Sequence, residues 1–116
     1  MKLAAIDIGS NAARLLISEV TEGDTAKPVF SKLNLIRVPL RLGFDVFEKG
    51  EISDQRFVML MQTMKAFGFL LKAYNVKHIK ACATSAMRLR AFNFLTLSID
   101  LCSWLYFISG NKVIDF

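Results

Sequence analysis

Residues 5–17 read AIDIGSNAARLLI: two apolar runs around a Gly-Ser-Asn break, an aspartate inside the first and an arginine near the start of the second. Short apolar runs bounded by turn residues read as strands, and a brief break between two of them closes a hairpin. Leu3–Ile8 therefore reads as a central strand and Arg14–Val20 as its partner, joined through Gly9–Ala13. The TEGDT cluster at 21–25 is turn chemistry, because Gly and Asp accept the backbone angles of a tight reversal. Val29–Leu40, bounded by Pro28 and Pro39, follows as a third strand, which makes an antiparallel meander.

Residues 41–53, RLGFDVFEKGEIS, read as a loop. Ser53 then suits a helix N-cap, and Asp54 the positive end of the helix dipole. Phe57, Leu60, Met61, Met64, Phe67, Leu71 and Tyr74 recur at helical spacing, with Asn75 as the stop. The methionines in that stripe read as core filler, and Gly68 inside it as a point of close packing. Ile79–Thr84 reads as a fourth strand, with Ser85-Ala-Met-Arg88 opening another helix. The expected order is βββαβ, an α/β layer, followed by a helical or irregular tail.

A chain of 116 residues has room for one compact domain, and 53% hydrophobic residues are enough to build its core. The formal charge of +5 suits a polyanionic ligand. Nothing interleaves aromatics with basic residues as a nucleic-acid surface would, so no nucleic acid is expected. Cys82 and Cys102 lie in apolar stretches without a CxxC pattern, which favours buried, reduced thiols over a disulfide or a metal site. The N-terminal apolar run is cut by Asp7 and is too short for a secretory signal, so a cytoplasmic location is expected. His78, beside Lys77 and Lys80, reads as a solvated surface residue.

Chemistry concentrates in two places. Gly9 permits close backbone approach, Ser10 and Asn11 add polar groups, and successive amides in such a turn can form an anion-binding concavity. Arg14 adds a guanidinium matched to phosphate, and Asp7 at the strand end can hold a hydrated divalent cation. An ordinary hairpin is the competing reading, weakened by the cost of an unpaired carboxylate inside a core strand. The second place is ATSAMR at 83–88. Thr84 and Ser85 fall where a strand ends and a helix begins, a position that attracts anions, and Arg88 lies one turn on. A plain N-cap is the simpler alternative there.

Together, AAIDIGSNAARLLI, RVPLRLGFDVFEKGEIS and ATSAMR resemble the exopolyphosphatase and guanosine pentaphosphate phosphohydrolase (Ppx/GppA) family, within the actin-like superfamily. The resemblance covers residues 1 to about 88. It implies a ribonuclease-H-like fold in which Gly9, Ser10, Asn11 and Arg14 belong to a first phosphate loop. It places Asp7 near Mg²⁺, with Thr84, Ser85, Arg88 and Arg41 lining the same cleft. Polyphosphate or guanosine pentaphosphate is the implied substrate, and family members often form homodimers. In the family, water activated by a glutamate attacks a terminal phosphoryl group while Mg²⁺ offsets charge.

After Arg88 the likeness stops. Residues 89–116 form a divergent tail dense in Phe, Leu, Trp and Tyr, where the family has a polar helix, and a shifted reading frame would explain the change. Trp104 and Tyr106 read as core filler there. Ile108–Asn111 echoes the turn before the family's glutamate, but Lys112 and Val113 stand where the acids belong. No second glycine-rich phosphate loop follows. Phe94–Ile108 is apolar, yet it is shorter than the roughly 20 residues of a membrane span and carries Asp100. The expectation is a phosphoanhydride hydrolase fragment, inactive alone and without an assignable catalytic residue. The alternative is a non-catalytic module that binds phosphate or nucleotide, or pairs with another subunit. A sugar- or acetate-kinase relative is a weaker option, disfavoured by ATSAMR.

Overall fold

The computed structural model describes residues 1–24, 27–83 and 114–115. Strand β1, Lys2–Ile8, is the middle strand of a sheet that also holds β2 (Ala12–Glu22), β3 (Pro28–Pro39), β4 (His78–Ala83) and β5 (Ile114–Asp115), in the order β3-β2-β1-β4-β5. Its neighbours are β2, antiparallel on one side, and β4, parallel on the other. Strand β3 pairs antiparallel with β2 and completes the expected meander.

Alternation along the strands decides which face becomes core. Ala4, Ile6 and Ile8 of β1 are buried on the same face as Ala13, Leu15 and Ile17 of β2. Helix α2, Asp54–Ala73, closes over that face with Leu60, Met64, Phe67 and Leu71. The helix starts where Ser53 predicts: the Ser53 hydroxyl accepts a hydrogen bond from the Arg56 N–H at 3.4 Å. It stops at Tyr74, and Asn75 turns the chain with φ 54°. Gly68 is buried in the packed stripe with Met64, whereas Phe57 at its start is exposed. Asn34 of β3 donates to the Tyr74 hydroxyl at 3.1 Å, pinning the outer strand to the end of the helix.

Three features depart from the sequence-based expectation. The segment 41–53 is not all loop, because Leu42–Lys49 forms helix α1. Eight residues with glycine in second place are too few to nucleate a helix in water. A tertiary bond holds this one, the Gly43 N–H donating to Ser10 O at 2.7 Å, and Gly50, at φ 72°, caps its end locally on Val46 O. Second, the tail beyond residue 88 is not purely helical or irregular, since Ile114–Asp115 form β5, parallel to β4. Third, Cys82 is exposed, because it falls on the opposite face of β4 from the buried Ile79 and Ala81. The expected helix at 85–88, Cys102, and the roles given to Trp104, Tyr106 and Ile108–Val113 lie outside the described residues. His78 is exposed, as expected. Among the described residues, no helix is long and apolar enough to cross a membrane.

Candidate functional site

The reversal between β1 and β2 is tighter than Gly9–Ala13, because β2 already begins at Ala12 and only Gly9, Ser10 and Asn11 lie between the two strands. The Gly9 N–H donates to Ala12 O at 2.9 Å. A Cβ on Gly9 would lie 3.3 Å from that same oxygen, so the glycine serves the closure of the turn itself.

The carbonyls of the turn are committed to the chain that follows β3. Asn11 O accepts from the N–H groups of Leu40, at 3.0 Å, and Arg41, at 2.8 Å, while Ser10 O accepts from Gly43. A Cβ at Gly43 would come within 2.8 Å of the Ser10 Cβ, so only glycine lets α1 approach this closely. Among the described residues, the N–H groups of Ser10 and Asn11 have no partner, and both residues are exposed. With carbonyls used and amides free, the turn presents net donor character to solvent, which is what an anion needs.

Arg41 is the junction residue. It sits in the left-handed region at φ 52°, ψ 41°, a conformation that costs a non-glycine residue about 1–2 kcal/mol. Neighbours hold it there. Its N–H is bonded to Asn11 O, and its carbonyl accepts from Arg56 Nη1 at 3.1 Å. The same Arg56 nitrogen donates to Leu40 O at 2.9 Å. Arg56 Nε lies 2.9 Å from Asp45 Oδ1, and its guanidinium carbon is 5.7 Å from the centre of the Phe44 ring. Asp45 is only 4% exposed, and its other oxygen accepts the Ser53 N–H at 3.0 Å. Hydrogen bonding from Ser53, then the charges of Arg56 and Lys49, hold the Asp45 carboxyl below its ordinary pKa against the opposing effect of burial.

Asp7 and Arg14 are register partners on β1 and β2, on the sheet face opposite α2. They form an ion pair of 3.0 Å, with side chains 35% and 55% exposed respectively. The carboxylate therefore avoids the cost of an unpaired charge by facing outward beside a guanidinium. Asp7 also aligns with Cys82, whose Sγ lies 3.8 Å from Asp7 Oδ1, and Arg14 aligns with Arg37 of β3. One rung of the open face thus reads Arg37, Arg14, Asp7, Cys82.

The structure brings Asp7, Gly9, Ser10, Asn11, Arg14 and the Arg41 backbone to one end of the sheet. Thr84, Ser85 and Arg88 lie outside the described residues; β4 ends at Ala83, in register with Ile8. Sequence reading missed Arg37, Arg56 and Cys82 as neighbours of the turn. Strand register or helix packing brings each of them close, and neither is visible in a local motif. Arg41 also borders an open cleft of about 420 Å³ with Arg56 and Met59, which includes none of Asp7, the turn or Arg14.

No family model matches the sequence, and a search of curated proteins returns no match. Solved structures do match. A Ppx/GppA family member from Aquifex aeolicus superposes with a TM-score of 0.75 at 28% identity, over 99% of this chain and 34% of its own. Three of the matching structures are Ppx/GppA proteins of Aquifex aeolicus. An exopolyphosphatase from Cytophaga hutchinsonii superposes with a TM-score of 0.71 at 24% identity, covering 98% of this chain and 33% of that one. Thermus thermophilus RuvC shares the fold at a TM-score of 0.61 and 12% identity, over 98% of this chain and 61% of its own. The ribonuclease-H-like α/β fold expected from the sequence is present. This chain spans about a third of the length of the Ppx/GppA structures it matches.

Proposed function

We propose that the β1–β2 turn binds a phosphoryl group of a condensed phosphate, as the first phosphate loop of a Ppx/GppA-type cleft. The observation that carries this reading is the division of the turn's backbone: the Ser10 and Asn11 carbonyls are bonded to residues 40–43, and their N–H groups are open. Arg14 lies three residues beyond, and the Arg41 backbone is fixed against the turn. Such a site binds and orients an oligophosphate through amides and guanidinium. Thr84, Ser85 and Arg88, following β4, complete the proposed contact set.

The donor set fits Mg²⁺ only in company with phosphate. Among the described residues, no group of three or more His, Cys, Asp or Glu side chains could hold a metal. Mg²⁺ commonly uses one or two carboxylates, substrate phosphates and several waters. Asp7 would supply the carboxylate. When bound, the ion offsets charge on the phosphoryl oxygens.

No hydrolytic step is assigned to these residues, because Lys112 and Val113 stand where the resemblance would place the family's acids. The function proposed is that of an exopolyphosphatase-related fragment, residues 1–88 carrying the family's first phosphate loop and 89–116 a divergent segment, working in the cytoplasm. The related reading, a non-catalytic binding or subunit-pairing module, is favoured by the exposed Phe44 and Phe47 on α1. Calorimetric titration with polyphosphate in Mg²⁺ tests the binding claim: wild type binds, and Arg14→Ala weakens it several-fold. Equal binding by the two proteins would refute the turn as the site. Phosphate release from polyphosphate is expected to stay at the uncatalysed level.

A further inference from the structure

We infer that Arg37 is a second anion-binding residue of this site, placed to take the next phosphoryl group of a condensed phosphate. The site would then prefer oligophosphates to orthophosphate. This inference rests on the reading of the β1–β2 turn as a phosphate site.

Register fixes the placement. Arg37 pairs with Arg14 across β2 and β3, and antiparallel partners have Cα atoms about 4.5–5.5 Å apart with side chains on one face. Its strand neighbours Ile36 and Val38 are half-buried and packed against the core, which turns Arg37 to the open face shared with Arg14 and Asp7. Arg37 is exposed, and among the described residues it has no ion pair or side-chain hydrogen bond.

Charge decides what that arrangement suits. Asp7 meets the charge of Arg14, but among the described residues no carboxylate meets that of Arg37. Two like charges directly opposite each other on neighbouring strands are destabilising by themselves. An anion with several linked charged groups reverses the sign of that interaction. The turn amides and Arg14 grip one phosphoryl group, and Arg37, one strand further out, meets the group attached to it. Guanidinium suits this task because its planar fork bonds two phosphate oxygens at once. Orthophosphate, seated at the amides, has no second group to offer.

The test compares orthophosphate with tripolyphosphate, both in Mg²⁺, by amide chemical-shift titration of the full chain. Wild type is expected to bind tripolyphosphate more tightly. Arg37→Gln is expected to lose about five- to tenfold in tripolyphosphate affinity and to change orthophosphate affinity less than twofold. Arg37→Lys, which keeps the charge without the fork, should fall between. The melting temperature of Arg37→Gln should match or exceed that of wild type, since a like-charge pair is removed. Undiminished tripolyphosphate binding by Arg37→Gln, alongside loss in Arg14→Ala, overturns the role of Arg37 and leaves the turn reading standing. Absence of binding by wild type to either phosphate overturns both.

Discussion

Asp7 and Arg14 hold each other at 3.0 Å while both remain partly open to water, so either can be recruited by a ligand at small cost. Exposed pairs of this kind are worth about 0.2–1 kcal/mol, a factor of roughly 1.4 to 5 in affinity. Without a divalent cation, the carboxylate competes with phosphate for the guanidinium. A cation bound to Asp7 removes that competition, so the two ligands should favour each other. Asp7→Asn is therefore expected to bind tripolyphosphate up to about fivefold more tightly than wild type in chelator, and to gain less from added Mg²⁺. Calorimetry in chelator and in Mg²⁺ measures both terms. Identical behaviour of the two proteins would mean that the pair stays closed during binding. The carboxylate itself was legible in the sequence because it interrupts an apolar strand. Its partner was read instead as a phosphate ligand, since the register that sets Arg14 opposite Asp7 depends on a turn tighter than the motif suggested.

Helix α1 and its attachment to α2 belong to the scale of elements. Residues 41–53 read as loop, and the Gly50 cap and Lys49 in the last turn are helix-end signals that this reading passed over. What makes the helix is remote: Ser10 O, Arg56 and Ser53. Arg56 bonds Leu40 O, Arg41 O and Asp45 together, so Arg56→Gln leaves two carbonyls and a buried carboxylate short of partners. A fall in melting temperature of roughly 10 °C is expected, together with weaker phosphate binding as Arg41 relaxes from its left-handed backbone. The same cluster makes a pH prediction. The Asp45 pKa is lowered in the folded state, so its stabilising effect is fully present above the unfolded value of about 3.9 and is lost as the pH falls through the lower folded value. Asp45→Asn should be less stable than wild type at neutral pH, and the gap should narrow towards pH 3. Denaturant midpoints measured across that range check it, and a gap independent of pH would contradict the assigned charge state.

At the scale of the whole molecule, the hydrophobic pattern of β1, β2 and α2 was legible because each stripe repeats with the period of its element. Which apolar side chains stay uncovered was not, because periodicity does not say whether a second layer exists. Phe47 is 77% exposed on α1, and Phe67, with similar local chemistry, is 1% exposed beneath the sheet. The contrast makes a paired prediction. Phe67→Ala removes a ring from the centre of a close-packed cluster and should cost about 3–5 kcal/mol, a large share of the 5–15 kcal/mol that holds an ordinary domain together. Phe47→Ser removes a ring already in water and should change stability by no more than about 0.5 kcal/mol. It should also reduce self-association, because Phe44 and Phe47 form exposed apolar surface on one short helix. Denaturation midpoints and light scattering on the two variants separate these effects. Destabilisation by Phe47→Ser comparable to that of Phe67→Ala would mean that the α1 phenylalanines are covered in solution and that the packed unit extends beyond the single sheet-and-helix layer described.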